Sequence, residues 1–416
     1  MGLDNLTILR RHIIPHVMAP VLVQATLDVG SAILTAAGLS FIGLGVQPPA
    51  ADWGRMISTG RTYFFIYWWC ATFPGLAIFV ITLAFNWLGD AVNAASDPFL
   101  QIEDLHVTFR TSHGIVRAVQ GVSLEIERGE IFGIVGETGC GKTVTALSVM
   151  RLLPASARVE AKRLCLNGQD LLHLSESEMA FVRGGQIGMV FQDPTTSLNP
   201  LFTVGDQVAR VITAHLSLSR REVRQRVIQL FSDVRLPEPE AIYRCYPHQL
   251  SGGMQQRIMI AMALAAGPGL LIADEPTTAL DVTIQAQILE LLLALRAEKG
   301  ITILLITHNL AVVAEVCERV AVFYAGQVVE ITGVRRMFHH PQHPYTRALI
   351  AAVPKVGSDR RDLKVIPGSV PTGVEMLPGC AFAPRCELCN ITCMEKAPVL
   401  RLRSPGHWVS CHHETG

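Results

Sequence analysis

The sequence predicts an α/β core domain, which two transmembrane α-helices precede and a cysteine-rich C-terminal extension follows. Three observations lead to this prediction. Uncharged apolar runs lie near the N-terminus, a glycine-rich loop follows an apolar strand near residue 135, and five of the 10 cysteines fall after residue 379. Because one ordinary domain takes roughly 100–200 residues, the 416 residues indicate two or three units.

The composition limits the classes of protein to which the chain can belong. Half of the residues are hydrophobic and only 17% are charged, whereas soluble domains carry roughly 25% charged residues. We therefore expect part of the chain to avoid water. Lysine plus arginine equals aspartate plus glutamate, 35 each. The chain lacks the basic excess that attracts phosphate backbones, so we do not expect a nucleic-acid partner.

Two apolar runs predict the membrane helices. Residues 62–89, TYFFIYWWCATFPGLAIFVITLAFNWLG, carry no charge, and about 20 apolar residues suffice to cross the hydrocarbon core. Tyr67, Trp68 and Trp69 fit the aromatic belt of a membrane interface. Residues 18–46 form the second candidate. The stretch QPPAADWGRMISTGR between the two runs predicts a water-exposed loop because it contains proline, glycine and charges.

The first apolar run contains Asp28. A charge in lipid is costly and by default marks a functional site, but we favour a position near the interface or against other helices. Two spans cannot enclose a solute pathway, since every polar group must be kept from lipid. The remaining helices must come from other chains, or this segment is vestigial.

A glycine-rich loop, GETGCGKT, follows the apolar strand IFGIV. Its glycines allow backbone N–H groups to converge on phosphate oxygens, while Lys142 reaches the terminal phosphates and Thr143 ligates Mg²⁺. The predicted nucleotide-binding residues are Gly136, Glu137, Thr138, Gly139, Cys140, Gly141, Lys142 and Thr143. For the apolar run at residues 18–46, the alternative is a cleaved signal peptide with Arg10 and Arg11 as its charged start. Export would remove this loop from ATP, so we disfavour it.

A second apolar strand ends in two acidic residues. The stretch GLLIADEP, residues 269–276, suits Asp274 to hold Mg²⁺ through water and Glu275 to polarise the attacking water. The alternative is an exposed strand end without a catalytic role. The glycine-rich loop in the same chain makes that alternative weak.

Further motifs occur in a fixed order. LSGGMQQR, residues 250–257, resembles the signature of ATP-binding-cassette (ABC) ATPases, and Gln192 in VFQDPTTSLNP, Asp281 in TALD and His308 in LLITHNL stand where that family has its other motifs. The resemblance implies an ABC-type P-loop ATPase core that uses ATP and Mg²⁺. It implies that Glu275, His308 and Gln192 are catalytic. Gln192 would also ligate Mg²⁺, at the hinge of a helical subdomain.

The same resemblance implies a composite site. Two cassettes of this family pair head to tail, so that residues of one complete the ATP site of the other. The residues concerned here are Ser251, Gly252, Gly253 and Asp281. Closure of the pair would depend on ATP, and hydrolysis would release it.

An aromatic residue that stacks on adenine is expected upstream of the phosphate loop. Phe109 is the candidate, with His113 as a competitor and a core strand position as the structural alternative. Cys140 replaces the serine common in this loop. Because its backbone N–H can still serve, we expect no loss of binding.

The tail of the chain resembles one branch of ABC importers. FHHPQHPYTRALIAAVP and the cysteine-rich residues after it look like the C-terminal extension of ATP-binding subunits for oligopeptides, dipeptides and nickel. RRHIIPHVMAP, LSFIGLGVQPP and FNWLGDAVNAASDPF in residues 1–97 resemble the last part of a permease subunit of that branch. The earlier permease helices are absent, which predicts a permease–ATPase fusion that has lost its front, or a gene start inside one.

Four cysteines match the cysteine positions of that family: Cys380, Cys386, Cys393 and Cys411. Cys389 is additional. Four thiolates could hold an iron–sulfur cluster such as [4Fe–4S], and zinc is an alternative because His407, His412 and His413 lie nearby. Reduced thiols that pack a small cap are equally compatible with the sequence.

The predicted organisation is a partial permease segment at 1–97, an ATPase domain at 98–335 with a helical subdomain at about 193–252, and the extension at 336–416. The resemblance implies an ATPase subunit that energises peptide import at the bacterial inner membrane, with its ATPase domain on the cytoplasmic side. Its expected partners are permease subunits, a second and different ABC ATPase, and an extracytoplasmic solute-binding protein. A nickel or other small-solute importer, a non-transport ABC ATPase and an inert fusion fragment remain alternatives.

Overall fold

The computed structural model describes residues 14–45, 50–96, 98–112, 114–278, 280–353, 366–371 and 378–413. The chain divides into two compact units, Met1–Asp97 and Pro98–Gly416. The described part of the first unit is helical, and all described strands lie in the second.

The described residues of the first unit form three helices, α1 Ile14–Phe41, α2 Trp53–Arg61 and α3 Trp69–Ser96. Helices α1 and α3 pack against each other, and α2 packs against both. The long apolar run becomes helical only from Trp69, not from residue 62. Among the described residues no helix combines the length and the apolar character needed to cross a membrane, so the prediction of two transmembrane helices is not confirmed there.

Helix α2 corrects the prediction of a loop between the two apolar runs. Asp52 caps it, because its carboxylate accepts the N–H of Arg55 at 3.2 Å and so satisfies a free donor of the first turn. Gly54 lets the helix approach α1 closely, since a Cβ there would lie 2.1 Å from the carbonyl oxygen of Ala37. The proline and glycine that suggested a loop therefore precede and pack a short helix.

The second unit has thirteen strands among its described residues: β1 Leu100–Thr111, β2 Gly114–Ile126, β3 Ile131–Val135, β4 Ala157–Glu160, β5 Arg163–Leu166, β6 Gln169–Asp170, β7 Ile187–Val190, β8 Leu270–Asp274, β9 Thr302–Thr307, β10 Arg319–Tyr324, β11 Gln327–Gly333, β12 Arg401–Ser404 and β13 His407–Val409. They form two sheets. Strands β1, β2, β4, β5 and β6 make an antiparallel sheet.

The larger sheet has the order β12-β13-β11-β10-β3-β9-β8-β7. Strands β10, β3, β9, β8 and β7 run parallel, and β11, β13 and β12 are antiparallel. Every residue of β3, β7, β8 and β9 is buried. This burial explains their uninterrupted apolar sequences, because helices cover both faces of a parallel sheet.

The helices of the second unit are α4 Lys142–Val149, α5 Glu176–Gly185, α6 Pro194–Ser197, α7 Val204–His215, α8 Arg220–Asp233, α9 Pro239–Ile242, α10 Gly252–Ala263, α11 Val282–Lys299, α12 Leu310–Val316, α13 Val334–His339, α14 Pro344–Ala351 and α15 Ile391–Glu395. Helices α6 to α9 follow one another in the chain without an intervening strand. Val208, Ile212, Val227 and Leu230 of α7 and α8 are fully buried in one core.

The C-terminal extension is joined to the core sheet, because β13 pairs with β11. A buried carboxylate fixes this join. Glu330 accepts the backbone N–H groups of Gln342 and His343, both at 2.9 Å, and Nε2–H of His407 at 2.7 Å. Burial acts to raise the pKa of Glu330, but the hydrogen bond from His407 and its other donors outweigh burial and lower it. The ionised carboxylate therefore holds cassette and extension together.

Candidate active site

The predicted catalytic residues follow neighbouring parallel strands of the large sheet. The glycine-rich loop begins after β3, His308 follows β9, Glu275 follows β8, and Gln192 comes shortly after β7. The carboxyl ends of parallel strands lie at one edge, where ligands bind in open α/β sheets. Residues up to 172 positions apart in the sequence, Gly136 and His308, therefore meet at one edge.

Glycines give the loop after β3 its shape. Gly136, Gly139 and Gly141 have φ values of 154°, 83° and 98°, which disfavour a side chain. A Cβ at Gly136 would lie 2.2 Å from the carbonyl oxygen of Phe323, and one at Gly141 would lie 2.5 Å from that of Ala118. The loop can adopt this path only with glycine at these two positions.

Lys142 is 5% exposed and lies inside the loop. Its Nζ donates to the carbonyl oxygens of Gly136 at 2.9 Å and Glu137 at 3.0 Å. Cys140 is fully buried beside it, and burial raises the pKa of its thiol. The thiol therefore stays neutral, and the ammonium group is the positive charge of the loop.

Two of the three predicted ligands of Mg²⁺, Thr143 and Asp274, are in contact. Thr143 Oγ1 donates to Oδ1 of Asp274 at 3.2 Å. A hydroxyl and a carboxylate are the hard oxygen donors that Mg²⁺ prefers, so the pair fits this ion. Burial raises the pKa of Asp274, although the hydrogen bond from Thr143 opposes it. A divalent cation would favour the ionised carboxylate again.

The three predicted catalytic residues meet at the carboxylate of Glu275. Oε2 accepts Nε2–H of Gln192 and the hydroxyl of Thr278, both at 2.9 Å, and Oε1 lies 3.1 Å from Nδ1 of His308. Burial acts to raise the pKa of Glu275, but the hydrogen bonds from His308 and Thr278 outweigh burial and lower it. The carboxylate is therefore ionised at neutral pH and able to accept a hydrogen bond from water.

The signature residues lie at the N-terminus of α10. Ser251 is exposed, and its hydroxyl accepts the N–H of Met254 at 3.4 Å. Gly252 is exposed as well, whereas a Cβ at Gly253 would lie 2.8 Å from Cγ2 of Ile284. Asp281 is exposed at the start of α11. The described hydrogen bonds of Ser251 and Asp281 do not reach the phosphate loop, so one cassette does not bring the two motifs together.

The proposed adenine-stacking residue occupies a strand. Phe109 lies in β1, opposite Val116 and Ala157, and it is partly buried against the core. Its competitor His113 lies outside the described residues.

Sequence reasoning missed three residues near the site. Thr278 bonds Glu275, and Tyr345 and Arg385 reach Glu137 of the phosphate loop from the C-terminal extension. For Tyr345 the sequence signal was the HPYTRAL stretch, which served above only as part of a family resemblance. Because 208 and 248 residues separate Tyr345 and Arg385 from Glu137, no local pattern joins them to the loop.

The cysteine-rich residues form a small cap. The N–H of Cys380 donates to the carbonyl of Cys393 at 2.7 Å. Burial raises the pKa of Cys380 to about 11, with the charges of neighbouring cysteines adding to it, and burial also raises the pKa of Cys386 and Cys411. Within the described part of the chain, no group of three or more His, Cys, Asp or Glu side chains is arranged to hold a metal ion. The iron–sulfur or zinc prediction is therefore not confirmed.

Three family models match the chain in sequence. Residues 1–101 match the inner membrane component of binding-protein-dependent transport systems, and residues 119–278 match the ABC transporter model. Residues 329–393 match the C-terminal region of oligopeptide/dipeptide transporters.

Curated relatives match most of the chain. The chain is 49% identical over 321 residues to a probable peptide ABC transporter ATP-binding protein of Sinorhizobium fredii, covering 77% of this chain and 96% of the relative. It is 48% identical over 313 residues to the dipeptide transport ATP-binding protein DppD of Bacillus subtilis, covering 75% and 93%. The DppD of Escherichia coli is 46% identical over 314 residues, covering 76% and 96%.

Solved structures agree with the fold. The dimeric ATP-binding cassette MJ0796 in a post-hydrolysis state with ADP and phosphate has a TM-score of 0.51 and 30% identity, covering 57% of this chain and 99% of that chain. The phosphate loop and the carboxylates beside it define a P-loop ATPase. The chain belongs to the family of ABC transporter ATP-binding proteins, and it hydrolyses ATP to drive transport.

Proposed function

We propose that the chain energises the uptake of dipeptides or oligopeptides across the cytoplasmic membrane. The observation that carries the proposal is the 48% identity to a dipeptide transport ATP-binding protein over 93% of its length. The match of residues 329–393 to the oligopeptide/dipeptide C-terminal region supports the same substrate class.

In this proposal Glu275 polarises the attacking water. Its lowered pKa and low exposure, 12%, support a carboxylate that stays ionised and oriented. His308 and Gln192 hold its two oxygens and face the γ-phosphate. The loop residues from Gly136 to Thr143 bind the phosphates, through backbone N–H groups other than that of Glu137, which donates to Tyr345, and Lys142 supplies the positive charge.

Mg²⁺ would be held by Thr143 and Asp274, with Gln192 as a further ligand. When bound, the ion would neutralise charge on the phosphate oxygens. The hydrogen bond between Thr143 and Asp274 supports this assignment, because it holds both oxygens beside the loop. Gln192 is exposed and bonds Glu275, so it lies at the same edge.

We further propose that a second cassette completes the ATP site. The exposed positions of Ser251, Gly252 and Asp281 support this, since their groups face solvent in one chain. The N-terminus of α10 also carries the partial positive charge that binds anions. Phe109 remains our candidate for the adenine contact, supported by its partial exposure in β1.

We retain the four cysteines as a proposed cluster site. Their support is a direct contact between two of them, since the N–H of Cys380 donates to the carbonyl oxygen of Cys393 at 2.7 Å. The described side chains favour protonated, packed thiols, and ligation would require their deprotonation. Iron and labile sulfide in anaerobically purified protein would support the cluster, zinc alone would support the alternative, and neither would leave a thiol-packed cap.

Residues 1–97 are proposed to be a permease-derived segment at the membrane, on the basis of the family match over 1–101. We propose domain bounds at 1–97, 98–335 and 336–416. The working transporter would add permease subunits, a second and different cassette and an extracytoplasmic solute-binding protein, with the ATPase domain in the cytoplasm. Retention of the full chain in carbonate-washed membranes tests the membrane assignment, and complete extraction would contradict it.

Growth on peptides tests the proposed function. Deleting the gene should abolish growth when a dipeptide is the sole nitrogen source, and the wild-type chain should restore it. Glu275→Gln should fail to restore growth, whereas Glu290→Gln, at an exposed glutamate of α11, should succeed. Loss of nickel uptake with normal peptide uptake would identify the other importer class. Unchanged uptake of both would favour a non-transport ATPase or an inert fragment.

A further inference from the structure

The C-terminal extension touches the phosphate loop at Glu137 through two side chains. Tyr345 accepts the backbone N–H of Glu137 on its hydroxyl oxygen at 3.1 Å. Arg385 donates from Nη1 to Oε2 of the Glu137 carboxylate at 3.0 Å. The two contacts engage the N–H and the carboxylate of Glu137 and not the other N–H groups of the loop, so they call for a separate explanation.

Both side chains are held rigidly. Tyr345 is fully buried, and its ring lies 4.6 Å from that of Tyr324 and 5.3 Å from that of Phe382. The side chain of Arg385 is only 7% exposed, and it donates to the carbonyl of Pro367 at 2.7 Å from Nε. These groups therefore present a fixed hydroxyl and a fixed positive charge to the loop.

The anchor extends into the core sheet. His343 caps α14 by accepting the N–H of Tyr345 on Nδ1 at 3.0 Å, and the N–H of His343 donates to Glu330 of β11 at 2.9 Å. The HPYTRAL stretch thus runs from a buried carboxylate of the cassette sheet to the phosphate loop. This geometry gives the stretch a role beyond family resemblance.

Glu137 places a negative charge where phosphates bind. Its carbonyl oxygen accepts Nζ of Lys142 at 3.0 Å, so the two residues are linked. Among the described residues Oε1 of Glu137 is buried without a hydrogen-bond partner, which leaves Arg385 as the cation paired with the carboxylate. Without Arg385 the carboxylate would repel the polyphosphate of ATP and compete for Lys142.

We propose that Arg385 and Tyr345 are positioning residues of the ATP site, which act through Glu137. Arg385 neutralises the Glu137 carboxylate, and Tyr345 fixes the backbone of the loop, so that Lys142 and the loop N–H groups are available to phosphate. The extension is thereby a part of the nucleotide site. The proposal rests on the ATP hydrolysis assigned above. If the wild-type chain does not hydrolyse ATP in the same assay, the assigned activity fails. If it does and the variants keep its KM, only the positioning role fails.

Steady-state ATP hydrolysis by the full chain tests the proposal. Arg385→Gln should raise the KM for ATP roughly tenfold, as expected for loss of a charge-assisted hydrogen bond, with kcat changed less than about twofold because the water-polarising group is untouched. Arg385→Lys should recover part of the loss. Arg336→Gln is the matched control, because Arg336 bonds the extension at the carbonyl of Pro405, away from the loop.

The double variant separates positioning from mere stability. Glu137→Gln combined with Arg385→Gln should have a lower KM than Arg385→Gln alone, because the unpaired negative charge is gone. The proposal would be overturned if the double variant had a higher KM for ATP than Arg385→Gln alone. It would also be overturned if Arg385→Gln had the wild-type KM.

Tyr345→Phe keeps the packed ring and removes only the acceptor for the Glu137 N–H. It should raise KM severalfold at constant kcat, and an unchanged KM would remove Tyr345 from the proposal. If Arg385→Gln does not fold, Arg385→Lys still decides the role of the arginine. Lysine keeps the positive charge and loses only the planar fork, so the KM of Arg385→Lys should rise by less than about tenfold, and a rise of tenfold or more would show that charge neutralisation is not what Arg385 supplies.

Discussion

At the scale of single residues, Glu275 shows what the structure adds to a sequence pattern. The sequence places an acid after an apolar strand, and the structure adds the three groups that fix both oxygens: Gln192, Thr278 and His308. Thr278 follows Glu275 closely in sequence, whereas the other two come from separate strand ends. The orientation of the carboxylate is thus a property of the sheet edge.

Replacing Glu275 with glutamine tests this residue. Glu275→Gln keeps the shape and the hydrogen bond from Thr278 but removes the negative charge that we propose polarises the attacking water. We expect kcat to fall at least about a hundredfold, the size typical of losing general-base catalysis, while the Kd for ATP changes less than about threefold. Single-turnover hydrolysis and equilibrium nucleotide binding measure the two quantities.

Glu290→Gln is the control for that measurement, because Glu290 is exposed on α11. Hydrolysis at the wild-type rate by Glu275→Gln would show that another group polarises the water. A large loss of ATP binding would instead show that Glu275 is needed to form the site.

At the scale of elements, α14 and β11 are joined by a histidine that cannot easily take a proton. Burial lowers the pKa of His343 from 6.5 to about 4. Its neutral Nδ1 accepts the N–H of Tyr345, and protonation would remove that acceptor. The join between the cassette and its extension is therefore weakened by acid.

The pH dependence of stability follows from this shift. Between pH 6.5 and about 4 the unfolded chain carries a proton on residue 343 that the folded chain does not. The free energy of unfolding should therefore fall as the pH falls through this window, by at most about 1.4 kcal/mol per pH unit from this group. Glu330, with its lowered pKa, adds a loss only below its usual value of 4.5.

Comparing variants at pH 7 and pH 5 isolates His343 from Glu330. His343→Asn keeps an oxygen to cap α14 but does not titrate, so its unfolding free energy should fall less between these two pH values than that of the wild type. His340→Asn is the exposed control and should behave as the wild type. Urea unfolding at each pH measures this free energy. An equal fall between pH 7 and pH 5 in the wild type and in His343→Asn would show that the histidine is not buried as described.

At the scale of the whole molecule, we propose that one cassette carries only part of its ATP site. The phosphate loop and Glu275 lie at one sheet edge, whereas Ser251 and Asp281 are exposed at the starts of α10 and α11. A partner cassette would bring its own signature to this loop. Pairing should therefore depend on ATP.

Ser251→Arg tests the pairing. In a Glu275→Gln background ATP is not consumed, so ATP should drive stable association with the second cassette of the transporter, seen as a faster-sedimenting species. Adding Ser251→Arg should abolish that species, because a bulky cation blocks the signature surface while the phosphate loop is intact. Thr213→Arg, at an exposed position of α7, is the matched control and should leave pairing unchanged.

Much of the catalytic core follows from local sequence. IFGIV and GLLIADEP are the two apolar runs predicted to be strands, and the structure confirms β3 and β8 there. GETGCGKT needs its glycines because Gly136, Gly139 and Gly141 have positive φ values, which is a requirement of the loop's own backbone. The loop predicted between the apolar runs was wrong, because the cap at Asp52 and the close approach at Gly54 start a helix.

By itself, the sequence determined the phosphate loop, the acidic strand end and the family motifs, because each is a short pattern whose chemistry lies within a few residues. Only the tertiary structure decided that Gln192 and His308 meet at Glu275, and that Tyr345 and Arg385 reach Glu137. These contacts join distant segments through the order of strands in the sheet and the pairing of β13 with β11. No local pattern encodes that order, since it results from packing the whole core.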